Sequence, residues 1–516
     1  MLESFPQTSS LVCCALDHIL ALKIKNFCDA MHCVALVFRC SRFNLIVSFP
    51  LEKTLFDSGN YDMQNMIKPT LYLSVLVGLV GCGSTVTGAT GSNDATIAPI
   101  GVITSTAIST ALVADASVTD LDNDGIVDAE DIDSDGDGLI EISTLEQLDW
   151  MRNDLQGTSL IDNEGNVASL GCFGGVCEGY ELVANLDFDT NGDGMMDAND
   201  DFFDTDADGE GNGWLPVGND VAPFQANFNG NGFSISNLFV ARDTSDLETA
   251  GSRIGLFGQV SGSDSAPITI QNVILDGDLM SLTGEESVGG LVGLASRVDI
   301  NDSAASGSVT GVQMVGGLVG NASSVAITNS SAASVVTGET AVGGLVGFAP
   351  SGAILNSSAT GAVMGDELVG GLVGFANSTV ITDSSATGAV TGDFSIGGLV
   401  GNASGTITNS FATGTVTGAE TVGGLVGFAS SADISFSFAA NNVSGAVSAG
   451  AFVGETNMAT YEENHFASDI SSLDAVGLAG IESINVETDI TGDTLAYLLA
   501  VTASIGALSD DSSADI

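Results

Sequence analysis

The chain has 516 residues and a formal net charge of −55, from 65 acidic residues against only 10 Lys and Arg. A surface this acidic excludes nucleic acid and anionic lipid as natural partners and favours divalent cations and cationic groups. With 66 Gly and 6% aromatic residues, the composition also excludes a solenoid built from helical repeats.

Residues 1–65 differ from everything after them. They hold Cys13, Cys14, Cys28, Cys33 and Cys40, five of the eight Cys, and no Lys follows Lys68. The break predicts that 1–65 are an extension from an early start, with Met63 or Met66 as the working start. The alternative is a cytoplasmic extension before an internal anchor. Residues 66–82 carry Lys68, an apolar run from Leu71 to Val80, and Leu79-Val80-Gly81-Cys82. The run is too short to span a bilayer, which takes about 20 residues. It resembles the signal peptide and lipobox of bacterial lipoprotein precursors. That resemblance implies cleavage before Cys82, lipidation of the Cys82 thiol, and a small residue, Gly81, for the peptidase. Gly83 in place of Asp implies the outer membrane of a Gram-negative bacterium, with the lipid as the sole membrane contact. Residues 83–118 are rich in Ser, Thr, Gly and Ala and read as a flexible tether.

Residues 119–215 form an acidic region with calcium-loop spacing. Asp189, Asn191, Asp193, the Met195 carbonyl, Asp197 and Asp200 fit positions 1, 3, 5, 7, 9 and 12 of a calcium loop, with Gly194 at the sharp turn. Asp120, Asp122, Asp124, the Ile126 carbonyl, Asp128 and Asp131 repeat the pattern and run into Asp133, Asp135 and Asp137. Asp204, Asp206 and Asp208 form a shorter candidate without a twelfth-position acid. Hard oxygen donors in tight loops suit Ca²⁺, which accepts six to eight of them in a flexible shell. These runs resemble thrombospondin type 3 and dockerin-like calcium repeats, and the expected role is structural. The competing reading is a solvated acidic linker.

Cys172 and Cys177 sit in a Gly-rich loop, GCFGGVCEGY, and are expected to form a local disulfide. A zinc site would need two more nearby thiols or imidazoles. His465, alone after the signal, reads as a surface residue. Ser143 and Glu146 form a capping box, followed by Leu145, Leu148, Met151 and Leu155 at helical spacing. The spacing predicts an amphipathic helix that covers the N-terminal end of the repeat region. Irregular first coils are expected from residues 180–188, 224–228 and 233–240.

Residues 216–455 are dominated by a repeat. GGLVG begins at Gly289, Gly316, Gly343, Gly370, Gly397 and Gly423, with a degenerate GAFVG at Gly450. The steps are 27 residues, once 26. Short β-prone runs between Gly, Asn and Ser predict an all-β fold: a β-solenoid, a right-handed parallel β-helix with about 27 residues per coil. Three short strands and three turns per coil are expected, with the recurring Gly taking φ > 0 corners and Asn301, Asn329, Asn356 and Asn409 forming turns or a ladder. VGGLVG with its ITNSSATGAVTG-like tail resembles the GLUG-motif family of bacterial surface proteins, over residues 119–455. The segments DGDGLIEISTLEQLDWMRNDL and FQANFNGNGFSISNLFV resemble that family's usual leader. The resemblance implies a β-solenoid on the cell surface with adhesion or matrix roles. Some members are IgA-cleaving metallopeptidases, but this chain has no HExxH to carry that activity. Residues 456–516 read as a C-terminal cap, with a helix over 494–503.

The functional expectation is a monomeric, lipid-anchored surface protein, stabilised by Ca²⁺, that binds a host or environmental glycan or a surface protein. A passive stalk is the alternative. A polysaccharide-active enzyme is disfavoured, because Asp299, Asp302, Asp366, Glu367, Asp383 and Asp393 read as not recurring in one phase and Arg297 stands alone among them. An ice- or crystal-binding face would use Thr310, Thr337, Thr391 and Thr417, a column broken by Met364.

Overall fold

The computed structural model describes residues 34–40, 43–49, 131–168, 172, 177–205, 211–243, 251–467, 473–479 and 486–488. The chain divides into two compact units, Met1–Ala116 and Ser117–Ile516. In the first, Val34–Cys40 pairs antiparallel with Phe43–Phe49. Both runs are rich in β-branched and aromatic residues. The proposed signal, Cys82, the tether and the helix expected at 494–503 lie outside the described residues.

The second unit is a parallel β-solenoid. One coil shows the plan: strands Gln313–Gly316, Val319–Thr328, Ser331–Ala332 and Val335–Thr337. Each strand pairs in parallel with its counterpart one coil later. The coils thus build four ladders, of eight, sixteen, eleven and eight strands in that order. Two of the three expected strands are fused in Val319–Thr328, and two more were not anticipated, Gln313–Gly316 and Ser331–Ala332. A strand that short satisfies its backbone only against its neighbours in the stack, which leaves almost no local pattern to read.

Register makes columns. Ile140, Tyr180, Phe228, Ile270, Ile300, Ile327, Ile354, Ile381, Ile407, Ile434 and Tyr461 stand one above another. All but Tyr461 are fully or almost fully buried. Burying one such side chain is worth about 1.5–3 kcal/mol, so the column is a main source of cohesion. Tyr180 lies 40 residues after Ile140 and Phe228 lies 48 after Tyr180, so the first coils are much longer than the later ones. Their interior is filled with aromatics: Phe224 meets Phe257 at 4.8 Å, and Phe188 meets Trp214 edge-on at 5.5 Å.

The helix forms as Leu145–Trp150, followed by a 3₁₀ turn Met151–Asn153. Leu148 and Met151 are buried in the common core, with Leu145 and Leu155 partly buried against it. Its cap is one residue later than the sequence predicts. Thr144 accepts from the Gln147 N–H, and the Gln147 side chain accepts from the Ser143 N–H at 2.8 Å. The helix lies in the first coil, between the strands Ile140–Ile142 and Gly179–Leu182.

The corners correct another expectation. Gly316, Gly317 and Gly320 do not take positive φ. Instead Asn329, Asn356, Asp383 and Asn409 do, at 48–52°, as do Met314, Leu368 and Thr421 at 54–57°. Asn and Asp tolerate this region because their side chains bond locally. Asn329 donates to Asp302, and Asn356 donates to Asn329 at 2.7 Å, so the expected ladder exists. Asn301 is outside it, one residue early, in register with Thr328. The motif glycines are required by close approach: a Cβ at Gly317 would lie 2.2 Å from the Gly344 carbonyl oxygen of the next coil.

A second, buried ladder runs through Ser303, Ser330, Ser357, Ser384, Ser410, Ser437 and Asn464. Each Ser Oγ from Ser330 onward accepts the backbone N–H of the ladder residue one coil earlier at 3.2 Å. It donates to the carbonyl two residues before it, for instance Ser357 to Leu355 at 2.8 Å. Asn464 ends the series by accepting from the Ser437 N–H at 3.0 Å. Ser357→Ala would strand the buried Ser330 N–H. A loss of about 1–3 kcal/mol is expected, measurable as a lower denaturation midpoint. A midpoint unchanged from wild type would contradict the ladder's role.

Candidate metal centre

Asp133, Asp135 and Asp137 place carboxylate oxygens within 4.8 Å of one another. Local bonds shape their loop. Asp131 accepts from the Asp133 N–H at 2.9 Å, Asp133 accepts from Gly138 N–H at 3.1 Å, and Asp137 accepts from Leu139 N–H at 2.8 Å. Gly136 and Gly138 take φ of 74° and 91°. Asp133 is fully buried, and burial pushes its carboxyl above the usual range.

The loop opens directly into the strand Ile140–Ile142, whose Glu141 is in register with Glu181 of the next coil. Glu141 accepts from the Ser134 hydroxyl and N–H, and burial raises its carboxyl pKa. Glu181 is only 2% exposed, and Asn231 donates to it at 2.6 Å. Burial pushes Glu181 up to about 7, opposed by Asn231 and reinforced by Asp137, Asp135 and Glu141. At Asp133, Glu141 and Glu181 alike, repulsion from neighbouring carboxylates therefore adds to the effect of burial at this end of the solenoid. Sequence reasoning missed Glu141 and Glu181. Their positions depend on a 40-residue coil that shares no period with the repeats.

The loop at 189–200 is arranged differently. Asp189 accepts from Gly192 and Gly194 N–H at 2.9 Å, Asn191 from Asp193 N–H at 2.8 Å, and Asp193 from Met195 N–H at 3.0 Å. Gly194 takes φ of 81°, as the spacing requires. Asp200 is 7% exposed and accepts from Asp197 N–H at 3.0 Å, while Asp197 accepts from Asn199. The turn is formed, yet these carboxylates do not converge as Asp133, Asp135 and Asp137 do. Asp120, Asp122, Asp124, Ile126 and Asp128 lie outside the described residues, as do Asp206 and Asp208. Cys172 and Cys177 are paired in a disulfide and buried. His465 stands in register with Phe438. Asp366 and Asp393 do share a phase, since the Asp393 N–H bonds the Asp366 carbonyl one coil earlier at 3.0 Å. The Thr column is real and includes Met364: Thr283, Thr310, Thr337, Met364, Thr391, Thr417 and Ser444 are in register.

A pH dependence is expected at Glu181. Its folded pKa of about 7 exceeds the ordinary carboxyl value, so the folded state holds its proton more tightly than the unfolded chain. In metal-free buffer that stabilisation is present at low pH and is lost as pH rises through 7. After allowance for nearby water, about 1–2 kcal/mol is expected to disappear between pH 5 and pH 8. Thermal melts should show the loss, and Glu181→Gln should flatten this part of the profile. An identical profile in that variant would refute the assignment.

The stacked ladders define a parallel β-solenoid repeat protein. The GLUG motif matches residues 365–391 and 392–417, so the chain carries GLUG repeats. No match is found among curated proteins or solved structures.

Proposed function

We propose that the protein is a cell-surface β-solenoid, anchored by lipid at Cys82 and stabilised by Ca²⁺, with an adhesin-like binding or matrix role. The observation that carries the reading is the GLUG repeat set folded into continuous outward columns, a form suited to presenting an extended surface. The grouped Asp133, Asp135 and Asp137 supply hard oxygen donors of the kind Ca²⁺ takes. Among the described residues no helix is long and apolar enough to cross a membrane. Anchoring at Cys82 rests on the signal-like sequence alone.

The test has two arms. Metabolic labelling with a fatty acid should mark the wild type and not Cys82→Ala. The purified protein should bind a glycan array, matrix proteins or cells in a saturable way. A passive stalk would be labelled but would bind nothing, and turnover of a polysaccharide would favour the enzyme reading instead.

A further inference from the structure

A cavity of about 330 Å³ opens beside the helix, lined by Asp149, Arg152, Phe202, Asp204, Thr205 and Leu215. Its lining includes none of Asp133, Asp135, Asp137, Glu141 and Glu181, and it shares only Asp204 with the short acidic run at 204–208. We propose that it is a binding site for a neutral sugar residue. The inference rests on the binding reading of this protein and locates a place for the ligand.

The cavity wall is a held array of polar groups over an apolar floor. The Arg152 guanidinium lies 5.0 Å over the Trp214 ring. Its Nε and Nη2 donate to Asp149 Oδ1, and Nη2 also donates to the Leu215 carbonyl at 3.0 Å. These contacts fix the plane of the guanidinium and leave the Nη1 edge as a donor without a described acceptor. Asp149 Oδ2 has a single long contact, 3.5 Å from Asn163 Nδ2, and keeps acceptor capacity. A spare donor beside a spare acceptor matches two adjacent hydroxyl groups, each of which can give one hydrogen bond and take another.

The rear of the site is rigid. Arg242, 3% exposed, donates to Thr205 Oγ1 at 2.9 Å and to the Gly213 carbonyl at 3.1 Å. Phe202 is held at φ of 61°, which is unusual for a bulky residue, with its ring 5.5 Å from Trp214. Backbone held this way clusters at ligand-holding sites. Phe202 and Leu215 offer carbon surface to the C–H face of a sugar ring.

Charge and size narrow the class. Two carboxylates, Asp149 and Asp204, line the cavity with the Arg152 guanidinium, and a second guanidinium, Arg242, lies behind Thr205, so the opposed charges disfavour both an anion and a cation. The volume is at the low end of the range for small-molecule sites, about 300–1,000 Å³, and suits one ring rather than a chain.

The test titrates the intact protein, in calcium buffer, with methyl glycosides of glucose, galactose, mannose and N-acetylglucosamine, and with glucuronate as the anionic control. Saturation-transfer NMR and calorimetry provide the readout. Saturable binding of at least one glycoside is expected, weakened about tenfold or more by Asp149→Asn. Leu215→Trp should fill the cavity from a partly exposed position and abolish binding with an unchanged circular dichroism spectrum, so the outcome does not hang on one variant. Binding by none of the glycosides, binding only of glucuronate, or binding that survives Leu215→Trp would overturn the proposal. Array or cell binding that survives both variants would sink this site and leave the adhesin reading standing. Loss of all binding by the wild type would sink both.

Discussion

Gly344→Ala is expected to destabilise the solenoid by about 3 kcal/mol or more. A Cβ at Gly344 would lie 2.1 Å from the Gly371 carbonyl oxygen and 2.8 Å from the Ala359 Cβ. The first of these is backbone in the next coil, so no rotamer change relieves it. Gly371→Ala should behave alike, because its Cβ would meet the Gly398 carbonyl oxygen at 2.1 Å. Gly232→Ala is the control. Gly232 takes φ of 75° with nothing within 4 Å, so it tests conformational strain alone, worth about 1–2 kcal/mol. Chemical denaturation separates the cases. Because each coil touches mainly its neighbours, a lesion at the centre should also uncouple the coils on either side. Unfolding of Gly344→Ala should then lose its single transition, with protease cuts concentrated near residue 344. A variant as stable as wild type, or a larger loss at Gly232, would refute the close-approach account.

That contrast also shows what the sequence makes legible. The 27-residue period predicts coils stacked in parallel, and Ile327, Ile354 and Ile381 stand in one column as it requires. It does not say why the glycines recur. A glycine needed for φ > 0 and one needed for backbone contact look identical in a string of letters. The corner residues are equally opaque, since Met314, Ala341, Leu368, Ser395 and Thr421 share a left-handed backbone and no chemistry. The Ser ladder did leave a signal, a Ser at the same phase in each tail: Ser330, Ser357, Ser384, Ser410 and Ser437. Its meaning depends on knowing that this phase points inward.

The candidate site divides in the same way. Asp133, Asp135 and Asp137 are legible because a loop brings near neighbours together. Glu141 and Glu181 meet only through strand register, across a coil whose length matches no repeat. The cavity at Arg152 is harder still, joining the helix and its 3₁₀ turn to Phe202, Asp204, Thr205 and Leu215.

Calcium is expected to raise the melting temperature, chiefly through the Asp133 loop, with the carboxylates at Glu141 and Glu181 adding to the shift. At free Ca²⁺ one hundred times Kd, a site that binds only the folded state adds about 2.7 kcal/mol. For a unit spanning Ser117–Ile516 that melts as one, this is on the order of 3 °C. Chelation should remove the gain and increase protease sensitivity around residues 131–142. The origin is electrostatic. Glu181 is driven toward neutrality by burial and by Asp137, Asp135 and Glu141, so a divalent cation offsets charges that the fold itself leaves crowded. Glu181→Gln, which keeps the shape and the Asn231 neighbour, should raise metal-free stability at pH 8 while shrinking the calcium shift. Asp133→Asn should shrink it further, and Asp189→Asn less, because among the described residues only the Asp133 loop brings its carboxylate oxygens together. Acid should mimic part of the effect, since a proton on Glu181 relieves the same crowding. Melts with calcium and with chelator, at pH 5.5 and pH 8, measure all of this in one series. If calcium shifts the wild type and Asp133→Asn equally, the metal sits elsewhere. If it shifts neither, the loops are an acidic surface held by their own backbone bonds.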